Sequence, residues 1–217
     1  MATEFKAAGG RPKVDPDPRV RSAILSAAHA VARNEGVRSL GIAQVLAQAQ
    51  LSTRAFYRHF TSKDELVTAM FLELASAERK RLQQRMAGLD PVRAVAAWVD
   101  GRLDLALDGQ VQSDLRQMSL EAQSQMSAAP ALITPAYAEI LRPLVDEVER
   151  GSRLGLFVDV DPQTEARSIH GVIWAGVEGQ WDSGTGDLSD IRARVKRFCL
   201  RGLGVAADVI VEVVSEG

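Results

Sequence analysis

Apolar residues recur at spacings of three and four along most of the chain, the period of a helix with one buried face. Val20, Ile24, Ala27, Ala28 and Val31 form the first such stripe. Helix-start signals punctuate the pattern. Asp17-Pro18, Asp90-Pro91, Thr134-Pro135 and Asp161-Pro162 each read as a capping side chain followed by proline at the first helical position. Ser62-Lys63-Asp64-Glu65 has the spacing of a capping box, in which serine and glutamate satisfy each other's backbone donors. Together these predict helices over 18–34, 41–48, 52–59, 63–87, 91–108, 113–127, 135–153, 162–181 and 188–204, with Gly36, Gly88 and Gly155 at stop positions. Strand-like alternation is confined to 209–214, where an extension of the last helix fits equally well. The fold expected is all-α, with about nine helices.

The predicted helices at 41–48 and 52–59 are too short to stand alone and must be held by their neighbours. Three helices followed by a long fourth describe a small reading head joined to a larger body. The expected organisation is a flexible basic arm over 1–17, a helix-turn-helix domain over 18–66, and a body over 67–217. Charge sharpens the division. The net charge is -2, but residues 1–66 carry a balance of +4 and the remainder -6. A basic first third on an acidic remainder points to a polyanion partner at one end only.

Cys199 is the sole cysteine, so an intrachain disulfide and a multi-cysteine zinc site are excluded. Its apolar neighbours Phe198 and Leu200 suggest a buried, inert thiol. No run of about 18 apolar residues suggests a membrane span, and a cytoplasmic protein is expected. His29, His59 and His170 show no zinc spacing, and neither a phosphate loop nor a nucleophile elbow is present, so enzymatic catalysis is not expected. No cofactor is expected.

The richest segment is 41–60. Ile42, Val45 and Leu46 give one apolar face, Leu51 follows in the turn, and Ala55, Phe56 and Phe60 give the buried face of the next helix. Thr53, Arg54, Tyr57 and Arg58 are left facing outward. A major groove admits one helix, whose N-terminal side chains reach base edges. Arg54 has the fork that matches guanine. Tyr57, His59 and Lys63 are placed for phosphates, and Arg11 and Lys13 of the arm for a minor groove. An alternative is a helical carrier or enzyme that does not bind DNA, against which the outward basic face of 53–63 argues.

Here the chain resembles the TetR (tetracycline-repressor-like) family. The matching residues are Ile24, Ala28, Gly36, Val45, Ala49, Ser52, Phe56-Tyr57-Arg58-His59-Phe60, Ser62-Lys63 and Glu65-Leu66. The resemblance is strong over about 19–70 and elsewhere extends to length and helical character. The chain departs from the family at Gln50, where glycine is usual in the turn, at Leu46, where alanine is usual, and at Gly41, where a capping Thr or Ser is common. The resemblance implies a repressor released from palindromic operator DNA by a small, largely apolar ligand held in the body. Candidate lining residues are Trp98, Met118, Met126, Tyr137 and Trp174, with Glu121, Gln125 or His170 as polar handles.

It also implies a homodimer through the last two long helices. The sequence offers a small-residue stripe there, Gly171, Ala175 and Gly179, beside Ile191, Val195 and Phe198. Glycine inside a helix costs roughly 1 kcal/mol, and close approach of a partner helix would offset it.

Overall fold

A computed structural model describes residues 17–107, 120–123, 129–183 and 187–216. Among them run α1 (Pro18–Glu35), α2 (Ile42–Ala49), α3 (Thr53–Phe56), α4 (Lys63–Met86), α5 (Pro91–Leu107), α6 (Pro130–Arg153), α7 (Pro162–Ser183), α8 (Leu188–Gly202) and α9 (Ala207–Ser215). A further helical stretch covers 120–123, and no strand occurs among the described residues. The fold is all-α, as expected.

Three of the four Asp/Thr-Pro signals cap helices. Asp17 accepts from the Arg19 amide at 2.9 Å, Asp90 from Val92 at 3.0 Å and Asp161 from Thr164 at 2.8 Å. Thr134-Pro135 does not. The helix there starts five residues earlier with Pro130 as its first residue, and Pro135 lies inside it. The Thr134 hydroxyl donates back to the Pro130 carbonyl at 2.8 Å instead of capping. Proline disrupts a helix least near its start, where few backbone bonds are lost. The capping box is half right. Ser62 accepts from the Glu65 amide at 3.1 Å, but the Glu65 carboxylate takes both the amide and the hydroxyl of Thr61, each at 2.6 Å. The tail resolves as helix, burying Ile210 and Val213.

The side chains divide into two cores. The head core joins Ile24, Ala28 and Val31 of α1, Val45 and Leu46 of α2, Phe56 and Phe60, Leu66–Ala75 positions of α4, and Ile133 and Ala136 of α6. The body core is built around α5, which packs against α4, α6, α7, α8 and α9. Its Trp98, Val99 and Leu103 are fully buried. α4 therefore serves both cores, through Leu66, Val67, Met70, Phe71 and Ala75 in the head and Leu82 and Met86 in the body.

Acidic residues on α5 fix its partners. Asp100 accepts from the buried Lys196 ammonium of α8 at 3.1 Å, and Asp104 pairs with Arg85 of α4 at 2.8 Å and with Arg192 of α8. At Gly176 the helices α7 and α8 approach closely: a Cβ there would meet Val195 at 2.9 Å. Gly176 is thus the glycine of α7 that its own chain requires.

Candidate DNA-reading face and buried cavity

Residues 42–60 fold as two short helices around a tight turn. The turn hinges on Gln50, whose backbone is left-handed at φ 56° and ψ 41°. Its amide and that of Leu51 close the turn on Ala47 and Leu46 carbonyls. The left-handed conformation usual for glycine is thus retained at a cost on the order of 1 kcal/mol. Gly41 caps α2 without a side chain, and the Gln44 carbonyl oxygen accepts its amide at 3.2 Å instead.

α3 is shorter than the sequence suggested. Regular helix ends at Phe56, and Arg58, His59 and Phe60 follow in tightened turns bonded to Ala55 and Phe56. Ser52 caps it, accepting from the Ala55 amide at 3.3 Å. Phe56 and Phe60 anchor the segment in the head core, their rings 5.7 Å apart. Arg21 of α1 stacks over Phe60 at 5.1 Å, a cation–π contact that ties the entry helix to this anchor.

With both phenylalanines inward, Thr53, Arg54, Tyr57 and Arg58 are all exposed, and His59 is half-buried beside them. Tyr57 is 58% exposed although its ring stands edge-on to Phe56 at 5.3 Å. An aromatic ring held this far out of a core is positioned for a partner. The Lys63 ammonium sits at the start of α4 and donates to the Arg38 carbonyl at 3.3 Å. Arg11 and Lys13 lie outside the described residues.

A cavity lies where the two cores meet. Leu74 and Ala75 of α4, Ile133 and Ile140 of α6, and Trp174 of α7 give it apolar walls, and it encloses about 40 Å³. Of the residues anticipated for it, Tyr137, His170 and Trp174 line it. Trp98 does not: it is fully buried in the body core, its ring 6.5 Å from that of His170. Glu121 stands beside the lining residues Ala122 and Gln123 but is not itself part of the wall. Met118, Gln125 and Met126 lie outside the described residues.

The polar end of the cavity escaped sequence reasoning. Glu78 of α4 is fully buried and receives Arg81 at 2.8 and 2.9 Å and Arg102 of α5 at 3.0 Å. Burial pushes the Glu78 carboxyl up, but the Arg81 hydrogen bond and the two guanidinium charges outweigh it and hold it below the usual carboxylate range. Burial pulls the Arg102 pKa down, with Glu78 opposing. His170 accepts the Trp174 indole N–H on Nε2 at 3.0 Å, so the neutral ring carries its proton on Nδ1. Burial, with Arg102 adding to it, pushes His170 down to about 3, and the ring is neutral at neutral pH.

The anticipated partner face divides in two. Gly171, Ala175 and Gly179 are exposed, with nothing within 4 Å of a Cβ built on either glycine, and Phe198 is 63% exposed. Ile191 and Val195 are instead 2% and 3% exposed and belong to the chain's own core. Both lie against Gly176 of α7, within 4 Å of where a Cβ would stand there. Cys199 is buried, which pushes its thiol up to about 12.

Known proteins show the same arrangement. RolR without ligand is 19% identical, with 89% of this chain and 96% of that one covered and a TM-score of 0.62. RolR in complex with resorcinol is 20% identical over 92% and 94%, at 0.60. SmeT, the repressor of the Stenotrophomonas maltophilia multidrug efflux pump SmeDEF, is 21% identical over 84% and 89%, at 0.60. FadR from Bacillus subtilis in complex with stearoyl-CoA is 18% identical over 83% and 98%, at 0.62. At these identities the likeness is one of fold. No curated protein sequence matches the chain. Residues 24–70, the helices that carry Thr53, Arg54 and Tyr57, match the bacterial regulatory proteins of the tetR family. The chain thus carries a head that matches the tetR family of bacterial regulatory proteins, on a body with the fold of these solved structures.

Proposed function

We propose that the protein is a dimeric DNA-binding repressor, released from a palindromic operator when a small, largely apolar ligand enters the cavity between its two cores. The observation that carries the reading is the outward face of α3. Phe56 and Phe60 fill the head core while Thr53, Arg54, Tyr57 and Arg58 stand exposed around them. Their exposed polar and basic groups match the chemistry of a groove. Thr53 and Arg54 read base edges. Tyr57, Arg58, His59 and Lys63 hold phosphates, and the arm residues Arg11 and Lys13 add minor-groove contacts.

The dimer is supported by the exposed Gly171, Ala175, Gly179 and Phe198 on neighbouring helices. A two-fold axis would present two heads to two half-sites one helical turn apart. The ligand's route to the head is short. Phe71, Ala75, Ile133 and Ala136 both line the cavity and belong to the head core. A molecule that parts α4 from α6 displaces the head's own packing and changes the separation of the two heads. The ligands named for RolR and FadR, resorcinol and stearoyl-CoA, fit a cavity use of this kind.

The test is selection of genomic fragments bound by the full-length protein. A palindromic motif with half-sites about 10 bp apart is expected, and binding should fall steeply with salt. Recovery of unrelated sequences at every salt concentration would overturn the reading.

A further inference from the structure

The cavity's polar groups are unbalanced. Among the described residues its one buried carboxylate, Glu78, faces two guanidinium groups, and Arg81 holds it with two of its nitrogens. Arg102 reaches Glu78 through Nη1 alone, and its buried Nε has no acceptor. The Arg102 side chain is 5% exposed and lines the cavity. His170 also lines the cavity, its Nδ1 protonated because Nε2 accepts from Trp174. The buried Arg102 Nε is thus an unmet donor, which costs about 1–3 kcal/mol.

We propose that the cavity, widened from its about 40 Å³ as α4 parts from α6, takes a small aromatic acid, its carboxylate against the Arg102 guanidinium and its ring among Phe71, Tyr137 and Trp174. The proposal rests on the reading of this cavity as the ligand site and names the class of ligand. A carboxylate supplies acceptors only, matching donors that lack them, and a guanidinium binds it in the plane of its fork. A monoanion suffices, because Glu78 already neutralises one of the two guanidiniums. Apart from Gln123 and His170 the remaining walls are apolar or aromatic, which selects a flat hydrophobic remainder over a sugar or a peptide.

The experiment titrates the full-length protein with benzoate, salicylate, phenylacetate and cinnamate, each beside its uncharged primary amide, and follows tryptophan fluorescence. At least one acid is expected to bind about tenfold or more tightly than its amide, the loss of one charge-assisted bond. Arg102→Met should bring that pair within about twofold, since Glu78 keeps Arg81. Acids and amides binding alike, or no acid binding, would overturn the proposal. Should Arg102→Met fail to fold, the acid–amide comparison on the unaltered protein decides alone. Operator release is measured separately. Acids that bind without releasing operator leave this proposal standing and remove ligand release. A neutral aromatic that releases operator where no acid binds does the reverse.

Discussion

Replacing Glu78 by leucine isolates the energetics of the buried charge cluster. The carboxylate is fully buried and accepts three hydrogen bonds of 2.8–3.0 Å. Without it, Arg81 can turn outward, since its side chain is 31% exposed and it also donates to the Gly101 carbonyl at 2.7 Å. Arg102 has no such escape at 5% exposure. A buried ion left without its partner costs about 3–5 kcal/mol. For a chain of this length that lowers Tm by about 6–20 °C. Arg102→Met is the informative contrast. It leaves Glu78 paired to Arg81 through two bonds, so the cost is one hydrogen bond, about 1–2 kcal/mol. The double variant removes both ions and should be more stable than Glu78→Leu alone. Thermal and urea denaturation of the four proteins measure the cycle. The Glu78 pKa is depressed in the fold, so its contribution is present above the ordinary value of 4.5 and is lost as pH falls through the lower folded value. The gap between the parent and Glu78→Leu should therefore narrow below about pH 4.5. Equal costs for the two single variants, or strict additivity in the double, would refute the account.

Arg54→Ala should weaken operator binding by about 1–3 kcal/mol and relax preference at one base pair per half-site; an unchanged motif from a binding-site selection would remove Arg54 from base reading. Lys63→Ala should weaken all sequences alike and reduce the salt slope by about one unit, read by anisotropy titration at several salt concentrations. Ala175→Arg should dissociate the dimer, at about 3 kcal/mol or more for each copy, while leaving the protomer folded, because Ala175 is exposed within it; a dimer of undiminished affinity in light scattering would place the interface elsewhere. Gln50→Gly should raise stability by up to about 1 kcal/mol, relief of the left-handed backbone being offset in part by a freer unfolded chain. His170, held near 3 against an ordinary 6.5, lets the unfolded chain bind the extra proton. Stability should fall as pH drops from 6.5 toward 3, by up to about 1.4 kcal/mol per pH unit, and His170→Gln should flatten that slope.

Local chemistry made the helix starts legible. Asp17, Asp90 and Asp161 cap where they stand because an Asp-Pro pair answers to its own backbone alone. The same rule failed at Thr134-Pro135, where α6 gained an extra turn by packing Ile133 and Ala136 into the head core, a distant contact no local signal announces. The outward residues of α3 were readable because Phe56 and Phe60 fix its phase. The buried ions were not, although a trace exists. Glu78 falls in step with Ala75, Leu82 and Met86, and Arg102 with Trp98 and Ala106, all buried. A charge on a core stripe marks such a site only once the opposite ion is known to face it, and 24 residues of chain separate these two. Ile191 and Val195 are drawn into the chain's own core by a similarly distant contact, the close approach at Gly176.

The sharing of α4 between two cores limits how this protein can be recombined. A chimera that joins this head to another body at residue 66 would keep α1 to α3 but discard Val67, Met70, Phe71 and Ala75, on which Phe56 and Phe60 close. Its recognition segment would lose the floor that orients it. Grafting has to carry α4 through Ala75, and the acceptor's body must offer small or aliphatic side chains where Ile133 and Ala136 now dock. Exchange of DNA specificity by surface substitution on α3 is therefore the less disruptive route, since Thr53, Arg54 and Tyr57 can change without touching that floor.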